Sequence, residues 1–219
     1  MKIETVIFDL DGTLIDSLEM YYKVLAMAFS QLDLPMVGRE IVFSQFGRGT
    51  PDWDSLLPKG IENKKDIMLQ CREIIIGLWP KVYREEVDLF EGVPDLLRHL
   101  KDKSMTLGIA TSGQSKELII ELLTRRKVYD LISAIVSREE VPKPKPSPMS
   151  ILECLRRLDA PPEKSVYVGD SIVDIRASKA AGIRSVAVLS GAGNYDILFR
   201  EGPDYIIPNA CELPALLDL

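Results

Sequence analysis

From Gly92 onward the chain alternates strand-like and helix-like stretches, and no other feature of the sequence limits its fold so tightly. VPDLLRHL has helical spacing, MTLGIAT reads as a strand, SKELIIELLTR is helical and LISAIVS is a strand again. PMSILECLRRL, SVYVGD, DIRASKAAG, RSVAVLS, YDILFREG and PDYIIP continue the alternation, and ELPALL closes it as a last helix. IETVIF near the N-terminus adds a strand by its β-branched and aromatic content. Strands alternating with helices predict a parallel sheet covered on both faces, with right-handed crossovers.

The segment between these two parts follows another rule. From Ser17 to about Leu34, the residues Leu18, Tyr21, Tyr22, Leu25, Ala28, Phe29 and Leu32 keep helical spacing, and Pro35 is expected to stop that helix. From Met36 to Glu91 the pattern stays helical, interrupted at GRGTP and LPKG, with no strand alternation. Trp53 and Trp79 are expected to pack a small helical core there. The expected fold class is therefore α/β: a doubly wound, mainly parallel, Rossmann-like sheet core over residues 1–16 and 90–219, with an all-helical insert over 17–89. A chain of 219 residues is long enough for one such domain carrying an insertion.

Composition narrows the function classes. The formal net charge of −6 argues against a nucleic-acid backbone as partner. No apolar run approaches the roughly 18 residues of a membrane helix, and the start MKIETVIFDLDG does not read as a signal peptide. Cys71, Cys154 and Cys211 are odd in number and widely spaced, which predicts free thiols in a reducing, cytoplasmic compartment.

In sheets of this kind ligands bind beyond the carboxyl ends of the strands. The first strand ends in Asp9 and Asp11; the next ends in Thr111, Ser112 and Gly113. Lys143 and Lys145 follow the third strand in VPKPKPSP, a Pro-rich stretch that reads as a rigid loop, and SVYVGDSIVD brings Asp170 with Asp174 one helical turn on. Asp9 and Asp11 are separated by one residue, so an extended backbone points both to one side. Together with Asp170 and Asp174 they would repel strongly unless a cation intervenes, and hard oxygen ligands favour Mg²⁺. Thr111, Ser112 and the amides opening the next helix suit an anion, although the hydroxyls could instead cap that helix and Asp174 could serve only its helix dipole. A lysine adds compact positive charge. These parts fit phosphoryl transfer with an aspartate as nucleophile. Arg48, in the GRG triplet at 47–49, is a candidate substrate contact or part of a plain turn; SGAGN at 190–194 reads as a turn, and His99 as a surface residue.

DLDGTLIDS, IATSG, KPSP and VGDSIVD, in this order, resemble the haloacid dehalogenase superfamily of aspartate-nucleophile phosphatases. The resemblance covers essentially the whole chain, the insert matching that family's early helical cap. It implies that Asp9 is the nucleophile and a Mg²⁺ ligand, and that Asp11 is the general acid/base and lends its backbone carbonyl to the metal. It further implies Asp170 as third ligand, Asp174 as orienter of metal-bound water or of the lysine, and Thr111 with Ser112 and Gly113 as the phosphate-holding turn. Ser112 stands where many members carry Asn. The lysine has two frames: Lys145 lies 25 residues before Asp170 and opens K-P-x-P ahead of Ile151 and Leu152, with Lys143 as the second choice. The implied function is a Mg²⁺-dependent phosphatase acting on a small phosphorylated metabolite, similar to phosphoglycolate phosphatases. Three alternatives share the core. Phosphosugar mutases carry a His in the first cap helix about where this chain has Tyr21, dehalogenases lack the second aspartate, and a phospho-acceptor signalling domain needs no cap.

Overall fold

The computed structural model describes residues 2–47, 56–57, 60–113 and 115–218. The chain enters as β1 (Thr5–Phe8), forms a two-residue strand β2 (Ile15–Asp16), and continues as helices α1 (Leu18–Gln31), α2 (Arg39–Gly47) and α3 (Lys64–Glu86). A second two-residue strand, β3 (Asp88–Leu89), pairs antiparallel with β2. Then α4 (Val93–Asp102), β4 (Thr106–Ala110), α5 (Lys116–Arg125), β5 (Ala134–Val136), α6 (Met149–Leu158) and β6 (Ser165–Gly169) alternate. They are followed by α7 (Ile172–Ala181), β7 (Arg184–Val188), α8 (Tyr195–Arg200), β8 (Tyr205–Ile207) and α9 (Leu213–Leu216).

All five pairings of the six-stranded sheet are parallel, in the order β5-β4-β1-β6-β7-β8. β1 is buried along its whole length, and successive residues serve opposite faces. Val6 and Phe8 join a cluster with Leu97, Leu100, Ile119 and Leu123 of α4 and α5. Ile7 joins Ile151, Cys154, Tyr167 and Ala177 on the other face, with α6 and α7. The doubly wound α/β class read from the sequence is the observed one. From β1 the chain proceeds outward to β4 and β5, then crosses back to β6 beside β1 and proceeds the other way. The winding reverses between β1 and β6, and the crevice at their carboxyl ends is where such sheets bind ligands.

Two readings of the segment over 17–89 change in detail. The first helix ends at Gln31, before Pro35: Asp33 takes a left-handed φ of 53°, and the amides of Leu34 and Asp33 return to the carbonyls of Phe29 and Ser30. That hydrogen-bonded stop terminates the helix ahead of the proline. The segment also contains β3, which the sequence conceals because two residues carry no period. Trp79 packs against Tyr21 at a ring separation of 4.6 Å, while Trp53 lies outside the described residues. His99 is half-buried on α4. Cys71 and Cys154 are buried free thiols and Cys211 a partly buried one. Among the described residues no helix is long and apolar enough to cross a membrane.

Candidate active site

A cavity of about 360 Å³ opens at the carboxyl edge of the sheet, lined among others by Asp9, Asp11, Thr111, Ser112, Gly113, Lys145 and Asp170. Register explains the meeting. Phe8 pairs with Val168 and Ile109, so the residues after β1, β4 and β6 emerge side by side. The amide of Asp9 donates to the Val168 carbonyl at 2.8 Å, which extends the ladder by one residue and fixes the aspartate against β6.

Lys145 is the centre of the buried part. Its Nζ donates to Asp9 Oδ1 at 2.6 Å, Asp174 Oδ1 at 2.6 Å and the Tyr167 hydroxyl at 2.8 Å. Three acceptors match the three protons of an ammonium. Lys143, two residues earlier, is exposed. The Tyr167 hydroxyl in turn donates to the Ala110 carbonyl at 2.8 Å, tying β6 to β4 beneath the lysine. Asp174 Oδ2 accepts from the Ser171 amide at 3.0 Å and from the Ser171 hydroxyl, a capping box that starts α7. Asp174 therefore holds the lysine and caps its helix at once.

Asp170 sits across the crevice, 5 % exposed. Its Oδ2 accepts from the Ala192 amide at 2.8 Å, and the Ser190 hydroxyl donates to the Gly12 carbonyl at 2.8 Å. A Cβ on Gly191 would lie 2.0 Å from Asp170 Oδ2, and one on Gly12, which has φ 74°, would lie 2.4 Å from it. The SGAGN segment, read from the sequence as a turn, thus wraps the Asp170 carboxylate, and its glycines permit that approach. On the opposite wall, Thr111 Oγ1 accepts from the Gly113 amide at 3.2 Å and Ser112 Oγ accepts from the Lys145 amide at 3.1 Å. Neither hydroxyl caps α5, whose N-cap is Ser115. Asp11 reaches the same turn: a Cβ on Gly113 would meet Asp11 Oδ2 at 2.6 Å. Arg48 lies outside the described residues.

The electrostatics of this cluster are unbalanced. Asp9, Asp170 and Asp174 offer carboxylate oxygens within 4.8 Å of one another, all buried. Three carboxylates against the single Lys145 ammonium leave two negative charges. Burial pushes the Asp9 carboxyl up to about 7 against the pull of Lys145, with Asp174 and Asp11 adding to the rise. Burial, then the charges of Asp174 and Asp9, hold Asp170 well above the usual carboxylate range. Burial works against the charge of Lys145, but Asp174 and Asp9 outweigh it and keep the ammonium above the ordinary lysine value. A divalent cation would offset the surplus, and the donor set, all hard oxygen without His or Cys, fits Mg²⁺. The Asp174 oxygens are already engaged by Lys145 and Ser171, so Asp9 and Asp170 are the carboxylates best placed to hold such an ion. The Asp11 side chain is outside this group of three.

Three contributors escaped the sequence reading. Tyr167 is one; a tyrosine inside a buried strand signals a hydroxyl that needs a partner. The Ser190–Gly193 loop is another, signalled only by its small residues. Arg138 is the third: it lines the cavity from the turn after β5.

A doubly wound parallel sheet with a lysine-bridged aspartate cluster at its winding reversal is the arrangement of an α/β enzyme. The chain belongs to the haloacid dehalogenase-like hydrolase family, whose sequence profile matches residues 6–188. It is 32 % identical to a protein named pyrophosphatase PpaX from Caldanaerobacter subterraneus, over 97 % of this chain and 94 % of that one. It is 27 % identical to a phosphoglycolate phosphatase from Nitrosococcus oceani, over 98 % of this chain and 96 % of the relative. Among solved structures, a haloacid dehalogenase-like hydrolase from Bacteroides fragilis superposes with a TM-score of 0.85 at 25 % identity, covering 97 % of this chain and 100 % of that one.

Proposed function

We propose that this hydrolase is a Mg²⁺-dependent phosphatase that cleaves a small phosphomonoester through an aspartyl-phosphate on Asp9. The observation that carries the reading is the 2.6 Å bridge of Lys145 to both Asp9 and Asp174 beside Asp170, in a cavity sized for a metabolite. The names of the relatives favour a phosphoglycolate-like substrate.

In this reading Asp9, fixed through Oδ1 by Lys145, attacks phosphorus with its other carboxylate oxygen, and the ester oxygen leaves. Asp11 donates a proton to that leaving oxygen. It then takes a proton from the water that attacks the acyl-phosphate phosphorus, returning Asp9 and releasing phosphate. Thr111 and the amides of Ser112 and Gly113 hold the phosphoryl oxygens, and Lys145 offsets the charge that builds there. Asp9, Asp170 and the Asp11 carbonyl would hold Mg²⁺, which would supply Lewis-acid stabilisation of phosphoryl charge. Helices α1, α2 and α3 form a cap that excludes bulk water, with hinges near Ile15–Ser17 and Phe90–Pro94. Phosphate release from p-nitrophenyl phosphate tests the reading: release that requires Mg²⁺ and vanishes in Asp9→Asn is expected, whereas release unaffected by either change contradicts it.

A further inference from the structure

Arg138 is a cation in the wall of a cavity lined by aspartates, yet it pairs with none of them. Among the described residues no carboxylate forms an ion pair with it; its Nη1 donates to the Val141 carbonyl at 2.8 Å. The nearby acid is committed elsewhere. Glu140 accepts from the Ser137 amide at 3.0 Å, Lys116 Nζ at 3.0 Å and Arg157 Nη1 at 2.8 Å. The Ser137–Glu140 pair forms a capping box around the single turn Arg138–Glu140, and Lys116 and Arg157 brace its Glu140, so the arginine stands on a fixed base at the carboxyl end of β5. Lys145, the other described cation in the cavity wall, has its charge consumed by Asp9 and Asp174. Arg138 thus presents a planar, multiply donating charge that no acid among the described residues neutralises, held in place before any ligand arrives.

We propose that Arg138 is a specificity-determining residue that binds a second anionic group on the substrate, beyond the phosphoryl group. The substrate class is then small phosphomonoesters or phosphoanhydrides that carry a further carboxylate or phosphate. This rests on the phosphatase reading above for its catalytic consequence, but not for the binding itself. The volume of about 360 Å³ suits two small charged groups joined by a short link.

Binding separates the two ideas because it needs no turnover. Calorimetry with Mg²⁺ present compares phosphonoacetate, which carries the second anion, with ethylphosphonate, which lacks it. The wild-type protein is expected to prefer phosphonoacetate by about ten- to hundredfold, the size of a charge-assisted hydrogen bond. Arg138→Gln should erase most of that preference and Arg138→Lys should keep part of it. Equal binding of the two ligands by the wild type, or the same loss for both in Arg138→Gln, overturns the proposal. Kinetics then identify the anion. Higher kcat/KM for phosphoglycolate than for 2-hydroxyethyl phosphate, reduced about tenfold in Arg138→Gln, assigns a carboxylate. The same contrast appearing with pyrophosphate instead assigns a phosphate. A phosphonoacetate preference that persists in Arg138-dependent form while no phosphate is released from any ester supports the binding role and contradicts the phosphatase reading alone.

Discussion

The carboxyl edge of the sheet and the helical segment share one cavity but are built by opposite rules. At the sheet edge polar atoms meet polar atoms: Lys145 has an acceptor for each proton, Asp174 is engaged at both oxygens, and Tyr167 passes a hydrogen bond on to Ala110. On the helical side rings meet rings. Tyr21 of α1 lies 4.6 Å from Phe46 of α2 and 4.6 Å from Trp79 of α3, and Trp79 stacks on Tyr83 at 6.5 Å. Buried charge is costly unless every partner is present, whereas apolar packing tolerates exchange at roughly constant volume. The sheet edge is therefore suited to chemistry that allows no substitution, and the ring wall to selectivity that can change. Tyr21 and Phe46 line the same cavity as the aspartates, so the two regimes meet in that cavity.

Substitutions can break or sharpen that contrast. Asp9→Asn should cost the most, about 10⁴-fold or more in kcat, by analogy with loss of a nucleophile elsewhere; steady-state phosphate release measures it, and its melting curve should still be cooperative. Lys145→Met comes next. It leaves Asp9 and Asp174 buried and unpaired, so denaturant titration in chelator should show a loss of about 3–5 kcal/mol. An unchanged midpoint would mean that the cluster is wetter than its burial implies. Tyr21→Ala should raise KM about tenfold with kcat within about threefold, because it removes wall rather than machinery. If kcat falls as far as in Asp9→Asn, the division between chemical edge and apolar wall is wrong.

The smallest effect belongs to the scaffold beneath Arg138. Glu140 is held down to about 2 from its ordinary 4.5, against its partial burial, by the Ser137 amide and the Lys116 and Arg157 partners. A depressed carboxyl stabilises the fold fully above its unfolded value and loses that contribution as pH falls through its folded value. Glu140→Gln should therefore cost about 1 kcal/mol at neutral pH, the scale of a half-exposed ion pair. The gap to wild type should close as pH falls from 4.5 toward 2. A gap independent of pH would assign the loss to packing.

What the sequence disclosed follows the same division. The order of strands and helices after Gly92 was legible because each element carries a period of its own, and the acids were legible because Asp9, Asp11 and Asp170 follow strand ends and Asp174 lies one helical turn beyond. Of the two lysines in one Pro-rich loop, spacing to Asp170 favoured Lys145 and left Lys143 as the second choice; only the fold, which buries Lys145 and exposes Lys143, separates them. Tyr167 was hidden because its acceptor, Ala110, is far away in sequence, and Arg138 because nothing in its local sequence marks it as facing the aspartates of the cavity. The β2–β3 ribbon was hidden because two-residue strands have no periodicity, and the Ser190–Gly193 loop because its contribution is a close approach, which small residues permit without advertising.

Trapping the covalent intermediate tests the central claim most directly. Enzyme turning over phosphoglycolate or p-nitrophenyl phosphate with Mg²⁺ is acid-quenched, reduced with borohydride, digested and read by mass spectrometry. An acyl-phosphate on residue 9 is reduced to the alcohol, so homoserine should replace Asp9 in that peptide, and only when both substrate and Mg²⁺ are present. Sustained turnover with Asp9 recovered unmodified, or with the mark on Asp11 or Asp170 instead, would contradict the account.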